Sequence, residues 1–399
     1  MTNIILFDEK ERWTELLPIT YTRPVSNIRV GISTLKEKWA RYFKEDNFSY
    51  YTIDYLNAKF PITVEEENLF IAGDCCANHE LAAAVKGLGL NEALVMADGD
   101  IIAYRGSMEN FEKKNFASVK TFESKINRIK QLYDIFSLND EELKADYKEI
   151  TTGRVSQPLS DSCTWIGPKE TQDGLPSIFI EEGASVEGAF LNTTNGPIYV
   201  GKDATIMEGA CIRGSFAALE NAVVKMGAKV YGATTLGKYC KVGGELSNVV
   251  MLGYSNKAHD GYLGNAVIGE WCNLGAGTSA SNLKNDYTEI KLWNYRVHRF
   301  MRTGLQFCGL IMGDHSKAGI NCMFNTATVI GVGVNIHGTG FPRNFVASFS
   351  EGGASGYSDV SVAKFFDIAK RVMIRRGIEL SDVDRSIFES IYNIADNYK

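Results

Sequence analysis

The sequence predicts two folded units of different class, an α/β domain around a mostly parallel sheet and then a parallel β-solenoid closed by terminal helices. Three observations predict it. Short apolar runs alternate with helical patterns up to about residue 150, aliphatic residues then recur every six positions, and helical spacing returns after Ser358.

In the first region Ile4-Ile5-Leu6-Phe7, Leu69-Phe70-Ile71-Ala72 and Ala93-Leu94-Val95-Met96 read as buried strands. Candidate helices lie around Ile32–Phe43 and from Asn139, an N-cap with Glu142 three residues on. Alternation of this kind belongs to an α/β domain, assigned to residues 1–155. Pro158, Pro168 and Pro176 mark residues 156–176 as a linker.

The solenoid, residues 177–356, carries the strongest signal. Steps of six from Val200 meet Ile206, Ile212, Ala218, Val224, Val230, Leu236 and Val242. The same step links Met312, Ala318, Phe324, Ile330 and Ile336, with Ile180, Val186, Ile268 and Leu274 as outliers of the pattern. Neither the 3.6 period of a helix nor the 2 of a strand gives six; one short strand and one turn per hexapeptide does. Three hexapeptides close a triangular coil. Residues 357–399 then supply two helices, the second after a Ser381-x-x-Asp384 capping signal, which cover the open end and its unpaired edges.

The period breaks twice. Val242 to Ile268 is 26 residues, two more than four hexapeptides, so a loop is expected there, carrying His259. A longer break from about Asn282 to Ile311 contains Lys291, Arg296, His298, Arg299 and Arg302. Loops on a rigid scaffold are where binding and catalysis concentrate. A neutral imidazole suits removal of a proton from an amine near pH 7, and a basic loop suits phosphate or coenzyme A. Gly275-Ala276-Gly277 would let backbone N–H groups approach a carbonyl oxygen or phosphate. The bland alternatives are an incidental surface histidine, a solvated basic face and tight corners.

The run Lys257-Ala258-His259-Asp260-Gly261-Tyr262-Leu263-Gly264, with Asn273-Leu274-Gly275-Ala276-Gly277-Thr278 and Asn282, resembles the acetyltransferase half of the bifunctional N-acetylglucosamine-1-phosphate uridyltransferase/glucosamine-1-phosphate acetyltransferase family. Leu16-Leu17-Pro18-Ile19-Thr20-Tyr21-Thr22-Arg23-Pro24 extends the likeness to a variant branch whose nucleotidyltransferase domain has diverged. The resemblance implies a left-handed solenoid. It also implies His259 as general base, Tyr262 near the sugar phosphate, Asn273 on the amino sugar, and Asn282 close to sugar and thioester. Where that family places a phosphate-binding lysine this chain has Ser247, and Arg213, Lys225 or Lys229 would have to supply the charge. Gly275, Gly277, Lys291 and Arg299 are the candidates for acetyl-CoA.

The first domain lacks the glycine-rich phosphate loop of active sugar-phosphate nucleotidyltransferases: its first strand runs into Phe7-Asp8-Glu9-Lys10-Glu11-Arg12. Leu69-Phe70-Ile71-Ala72-Gly73-Asp74 resembles the family strand ending in Gly-Asp, so Asp74 is the candidate ligand for Mg²⁺, with Arg23, Arg29 and Lys36 as replacement phosphate contacts. Asp98-Gly99-Asp100 reads as a hairpin turn rather than a metal site.

A formal charge of −6 gives no global attraction for nucleic acid, and no apolar run is long enough to span a membrane. With no signal-peptide pattern at its start, the sequence reads as a soluble cytoplasmic protein. Its eight cysteines lack CxxC spacing and read as small buried residues. The leading expectation is acetyl transfer from acetyl-CoA to an amino-sugar phosphate, implied to be glucosamine 1-phosphate, with nucleotidyl transfer possible in the first domain. The resemblance places such chemistry in sugar-nucleotide synthesis for the cell envelope. The alternatives are nucleotidyl transfer alone, with the solenoid as oligomerisation scaffold, and a non-catalytic sugar-nucleotide sensor. Flat solenoid faces packed about an axis predict a homotrimer.

Overall fold

The computed structural model describes residues 2–44 and 47–399. It divides into two compact units. One is drawn from the chain up to Gln131; the other comprises Leu132–Lys399 with Leu17–Tyr21 and Arg29–Ile32.

The first unit is a six-stranded sheet in the order Asn47–Tyr51, Asn3–Phe7, Asn68–Ala72, Ile101–Gly106, Glu92–Val95, Ser118–Thr121. Only Ile101–Gly106 runs antiparallel to its neighbours; the remaining pairs are parallel. The expected strands are thus present, and Asp98-Gly99-Asp100 makes the expected hairpin turn, closed by a Met96 N–H to Asp100 oxygen bond of 2.9 Å. Helices α1 (Lys10–Glu15), α2 (Leu35–Tyr42), α3 (His79–Lys86) and α4 (Met108–Glu112) complete the unit. Helix α2 starts at Thr34, whose side chain accepts from the Glu37 N–H while Glu37 accepts from the Thr34 N–H. That reciprocal cap fixes the start the sequence placed near Ile32.

The boundary expected near residue 155 falls instead after Gln131. Helices α5 (Asp134–Ser137) and α6 (Asn139–Thr151) pack on the solenoid. Asn139 is not the N-cap of α6. Its side chain is buried, accepts from the Gly31 N–H at 2.8 Å and donates to the Ala233 carbonyl at 2.9 Å, so its hydrogen bonds go to tertiary partners. The segment read as a linker is also structured: Thr164–Ile166 pairs in parallel with Phe190–Asn192 and lays down the first rung of the solenoid.

Parallel pairing at a step of eighteen residues builds the solenoid, as in Ile206 opposite Val224 and Val224 opposite Val242. Every residue of the series from Val200 to Val242 points inward and is at most 2% exposed. Burying the aliphatic column while each rung hydrogen-bonds to the next coil satisfies the backbone and the side chains together.

The first break in period is not an extruded loop. The inward positions run Val242, Leu246, Met251, Lys257, Leu263 and Ile268, all fully buried. Five shortened rungs therefore occupy the 26 residues, and His259 sits on an ordinary corner. The shortening is possible because Glu245–Gly253 and Tyr262–Glu270 bend from one face to the next without interruption, joining two faces into one fifteen-stranded sheet. The second break does leave the solenoid, as a hairpin of Lys291–Asn294 against Arg299–Arg302, seated by Trp293 stacked on Phe345 at 4.2 Å.

One corner of successive coils carries Tyr239, Tyr254, Trp271 and His315, each with a left-handed φ between 54° and 62°. Their rings stack at centroid separations of 5.3, 4.2 and 6.0 Å. Helices α7 (Val362–Ile374) and α8 (Asp382–Ala395) cover the end of that stack through Phe365 and Phe388, which meet His315 edge-on. Ser381 caps α8 by accepting from the Asp384 N–H at 3.0 Å, as its sequence signal indicated. No helix among the described residues is long and apolar enough to cross a membrane.

Alternation along a rung sets a direct test. Ile212 is 1% exposed and its neighbour Cys211 points outward. Ile212→Ala should cost about 2–5 kcal/mol in chemical denaturation, and Cys211→Ser should stay within about 0.5 kcal/mol of the parent.

Candidate functional site

A cavity of about 360–400 Å³ in scale, 380 Å³ as measured, opens on the solenoid where the third face turns toward the first, with His259, Asn273 and Gly275 on its wall. Asn273 stands opposite Asn256 in the rung register, and Asn256 opposite Lys241, so these three form one outward column. The C-terminal end of α7 supplies Arg375 and Arg376 to the same cavity. His259 and Arg375 are exposed, and Arg376 directs its guanidinium to the Asn256 side-chain oxygen at 3.5 Å and over the Tyr239 ring at 5.9 Å. Burial, with the charges of Arg376, Lys225 and Arg375, pushes the Lys241 pKa down. Cations gathered without a carboxylate to pair them make this wall a place for an anion.

The sequence placed His259 and Asn273 together, and the structure does so. It missed Lys241, Arg375 and Arg376. Lys241 lies in an unbroken part of the period, and the two arginines reach the wall only because α7 folds back over the coil.

Tyr262 and Asn282 meet each other on the adjoining face. The Asn282 amide donates to the Tyr262 hydroxyl at 2.9 Å and to Asn265 at 2.7 Å. Ser247 lies in the column of Tyr231 and Gly264, and its hydroxyl acts on that of Tyr262. Arg213 and Lys229 are exposed on the same face, Lys229 in register with Glu245 and Tyr262. Neither enters the hydrogen bonds around Tyr262, so Ser247 has a polar setting rather than a replacement cation.

Two expectations for the coenzyme are corrected. The Gly275 N–H donates to the Ala318 carbonyl at 2.9 Å and the Gly277 N–H to that of Asp260 at 3.0 Å, so the coil ladder uses both donors. Gly275 is required for a different reason: a Cβ there would come within 2.5 Å of the Gly319 backbone in the next coil. Lys291 and Arg299 are exposed on the hairpin and do not line the cavity.

In the first unit, Asp74 ends its parallel strand as expected but is buried in a clamp. Arg128 donates to both of its oxygens at 2.9–3.1 Å, and Arg12 Nε lies 2.8 Å from Oδ2. Arg128 and Lys130 also reach Asp100, at 3.1 and 2.9 Å. Among the described residues no group of three or more His, Cys, Asp or Glu side chains is placed to hold a metal. A carboxylate with two guanidinium partners does not fit the oxygen-rich shell Mg²⁺ requires, so the Asp74 assignment fails on geometry. Arg23 and Arg29 are buried, Arg29 donating to the Ile32 carbonyl within the second unit, and Lys36 lies over the Tyr50 ring at 5.6 Å. All eight cysteines are free thiols.

Residues 4–155 match the family described as sugar nucleotidyl transferase. The bifunctional protein GlmU of Alkaliphilus metalliredigens is 27% identical over 194 residues, 42% of this chain and 40% of that protein. A bifunctional sugar-1-phosphate nucleotidylyltransferase/acetyltransferase of Sulfurisphaera tokodaii is 33% identical over 93 residues, 23% of each chain. The chain is GlmU-like. Its matched region spans less than half the length of either relative. A Francisella novicida UDP-N-acetylglucosamine acyltransferase structure overlaps 56% of this GlmU-like chain and 77% of its own, at 14% identity and a TM-score of 0.20, too low to bear on structure.

Asp8, at the end of the first strand, gives the first unit a pH signature. Burial pushes its pKa up to about 7, aided by Asp74 and opposed by bonds from Thr52 at 2.6 Å and the Val25 N–H at 3.1 Å. The native state then keeps a proton that the unfolded chain loses near pH 4, so Asp8 makes stability fall as pH rises from about 4 to 7. Urea midpoints across that range should show a fall that Asp8→Asn flattens.

Proposed function

We propose that the solenoid transfers an acetyl group from acetyl-CoA to the amine of an amino-sugar phosphate, glucosamine 1-phosphate being the acceptor implied by the resemblance. The observation that carries this reading is the exposed His259 imidazole on the same cavity wall as Lys241, Arg375 and Arg376. A base and an anion subsite within one cavity are what transfer between two phosphate-bearing substrates requires. His259 takes a proton from the ammonium or from the attacking amine, the nitrogen bonds to the thioester carbonyl, and the C–S bond breaks. The proton passes to the departing thiolate, so acetylated amine and free coenzyme A balance the reaction. The basic wall holds phosphate, and the Asn273 amide is in place for the sugar.

Packing of three copies about an axis, which would bring the Tyr262–Asn282 face toward a neighbour, belongs to the same proposal. Light scattering should report three chains per particle; a monomer at micromolar concentration removes it. The match over residues 4–155 favours a second reading, nucleotidyl transfer in the first unit. With Asp74 clamped, that activity would need another metal ligand.

Incubation with acetyl-CoA and glucosamine 1-phosphate should release free thiol, while pyrophosphate release from UTP is followed separately. His259→Ala should lower kcat by about 10²–10⁴ and leave acetyl-CoA affinity nearly unchanged. Arg375→Ala with Arg376→Ala should instead raise KM for a phosphate-bearing substrate and weaken its dependence on salt. Near-normal turnover in His259→Ala rules out the base assignment.

A further inference from the structure

Lys257 occupies a position that the fold reserves for aliphatic residues. The rung register sets it opposite Val242, itself opposite Val224 and Ile206, and Leu274 continues the column on its other side. Its side chain is fully buried, among the largest so enclosed in the protein. An ammonium in an apolar column costs several kcal/mol unless it is paired and fully hydrogen-bonded. Here it donates to a single acceptor, the main-chain carbonyl of His259, at 2.6 Å.

That carbonyl is the one the neighbouring coils leave to a side chain. The Lys257 carbonyl accepts from the Gly243 N–H, that of Asp260 from Gly277, and that of Gly261 from Glu245. The coil ladder thus fastens the corner on both sides of His259. The adjacent corner leaves no slack: a Cβ on Gly244, where φ is +72°, would lie 2.9 Å from the His259 oxygen and 2.7 Å from that of Gly261. Methionine would fill the column without an unsatisfied charge, so stability alone does not explain a lysine here.

We infer that Lys257 is a positioning residue for His259, its ammonium reaching out of the solenoid core to hold the His259 carbonyl and so fix where the imidazole stands on the cavity wall. The inference rests on His259 being the base. Burial also pushes the Lys257 pKa down to about 8, against the weaker opposing influence of Asp260. The ammonium therefore retains its proton, and its hydrogen bond, at neutral pH.

Lys257→Met and His259→Ala test it in the full chain, with melting temperature, kcat, KM for acetyl-CoA and amide exchange at residues 258–261 measured on each. Lys257→Met should melt at or above the parent temperature, lose at least tenfold in kcat, keep KM within twofold, and exchange at least tenfold faster at that corner. A purely structural lysine gives the opposite pairing, a lower melting temperature with kcat preserved, and overturns the inference. Unchanged kcat in Lys257→Met beside an inactive His259→Ala also overturns it, with the base reading intact. Near-normal turnover in His259→Ala removes the base reading instead. Corner exchange then decides whether the carbonyl clamp exists, and unchanged exchange removes that as well.

Discussion

The constraint on which the solenoid depends is that each coil must present its backbone to the next in register. Ile206, Val224 and Val242 pair as successive partners of one parallel ladder, and their side chains stack inward in consequence. Once that ladder is fixed, the outward positions fall into columns as well. Lys241, Asn256 and Asn273 share a column without any contact between their side chains being needed to align them. A rigid repeating backbone thus does for this site what a pre-shaped pocket does elsewhere, holding groups from distant points in the chain at fixed separations.

Much of this was legible because the period of six is enforced by burial, and burial selects aliphatic residues strongly. The histidine and Asn273 were legible through their local motif. Elsewhere the sequence misled for identifiable reasons. Counting in sixes assumes a full turn at every corner; between Val242 and Met251 the strand bends directly round, so Leu246 and Met251 arrive early and the pattern looks like an insertion. Lys257 went unread as an inward residue since its polarity argues for the outside. Asn139 was taken for a cap, although its amide serves Gly31 and Ala233, partners remote in sequence. Arg375 and Arg376 carry no local signal at all, because their role follows from where α7 lands.

The first unit shows a similar substitution of one kind of electrostatics for another. Its opening strand passes into α1 through Asp8 and Glu9, leaving no run of glycine amides to receive phosphate. The strand end that would meet a metal is instead neutralised by Arg12 and Arg128. Clamping a buried carboxylate with two guanidinium groups stabilises the fold locally while occupying the oxygens that a cation would use. The family likeness over residues 4–155 is therefore a likeness of framework, and its chemistry has to be sought in the side chains actually present.

The ring stack of Tyr239, Tyr254, Trp271 and His315 places one left-handed corner above another, one ring to a coil. Such a column acts as a gauge on the length of the chain. Adding or removing whole coils would preserve its spacing, whereas a few extra residues would put a corner out of line and break the stack. Surplus sequence therefore has to leave the coil altogether, as the hairpin of Lys291–Asn294 and Arg299–Arg302 does. Growth of this architecture is accordingly quantised, and its variation in length should collect in whole turns or in outward projections.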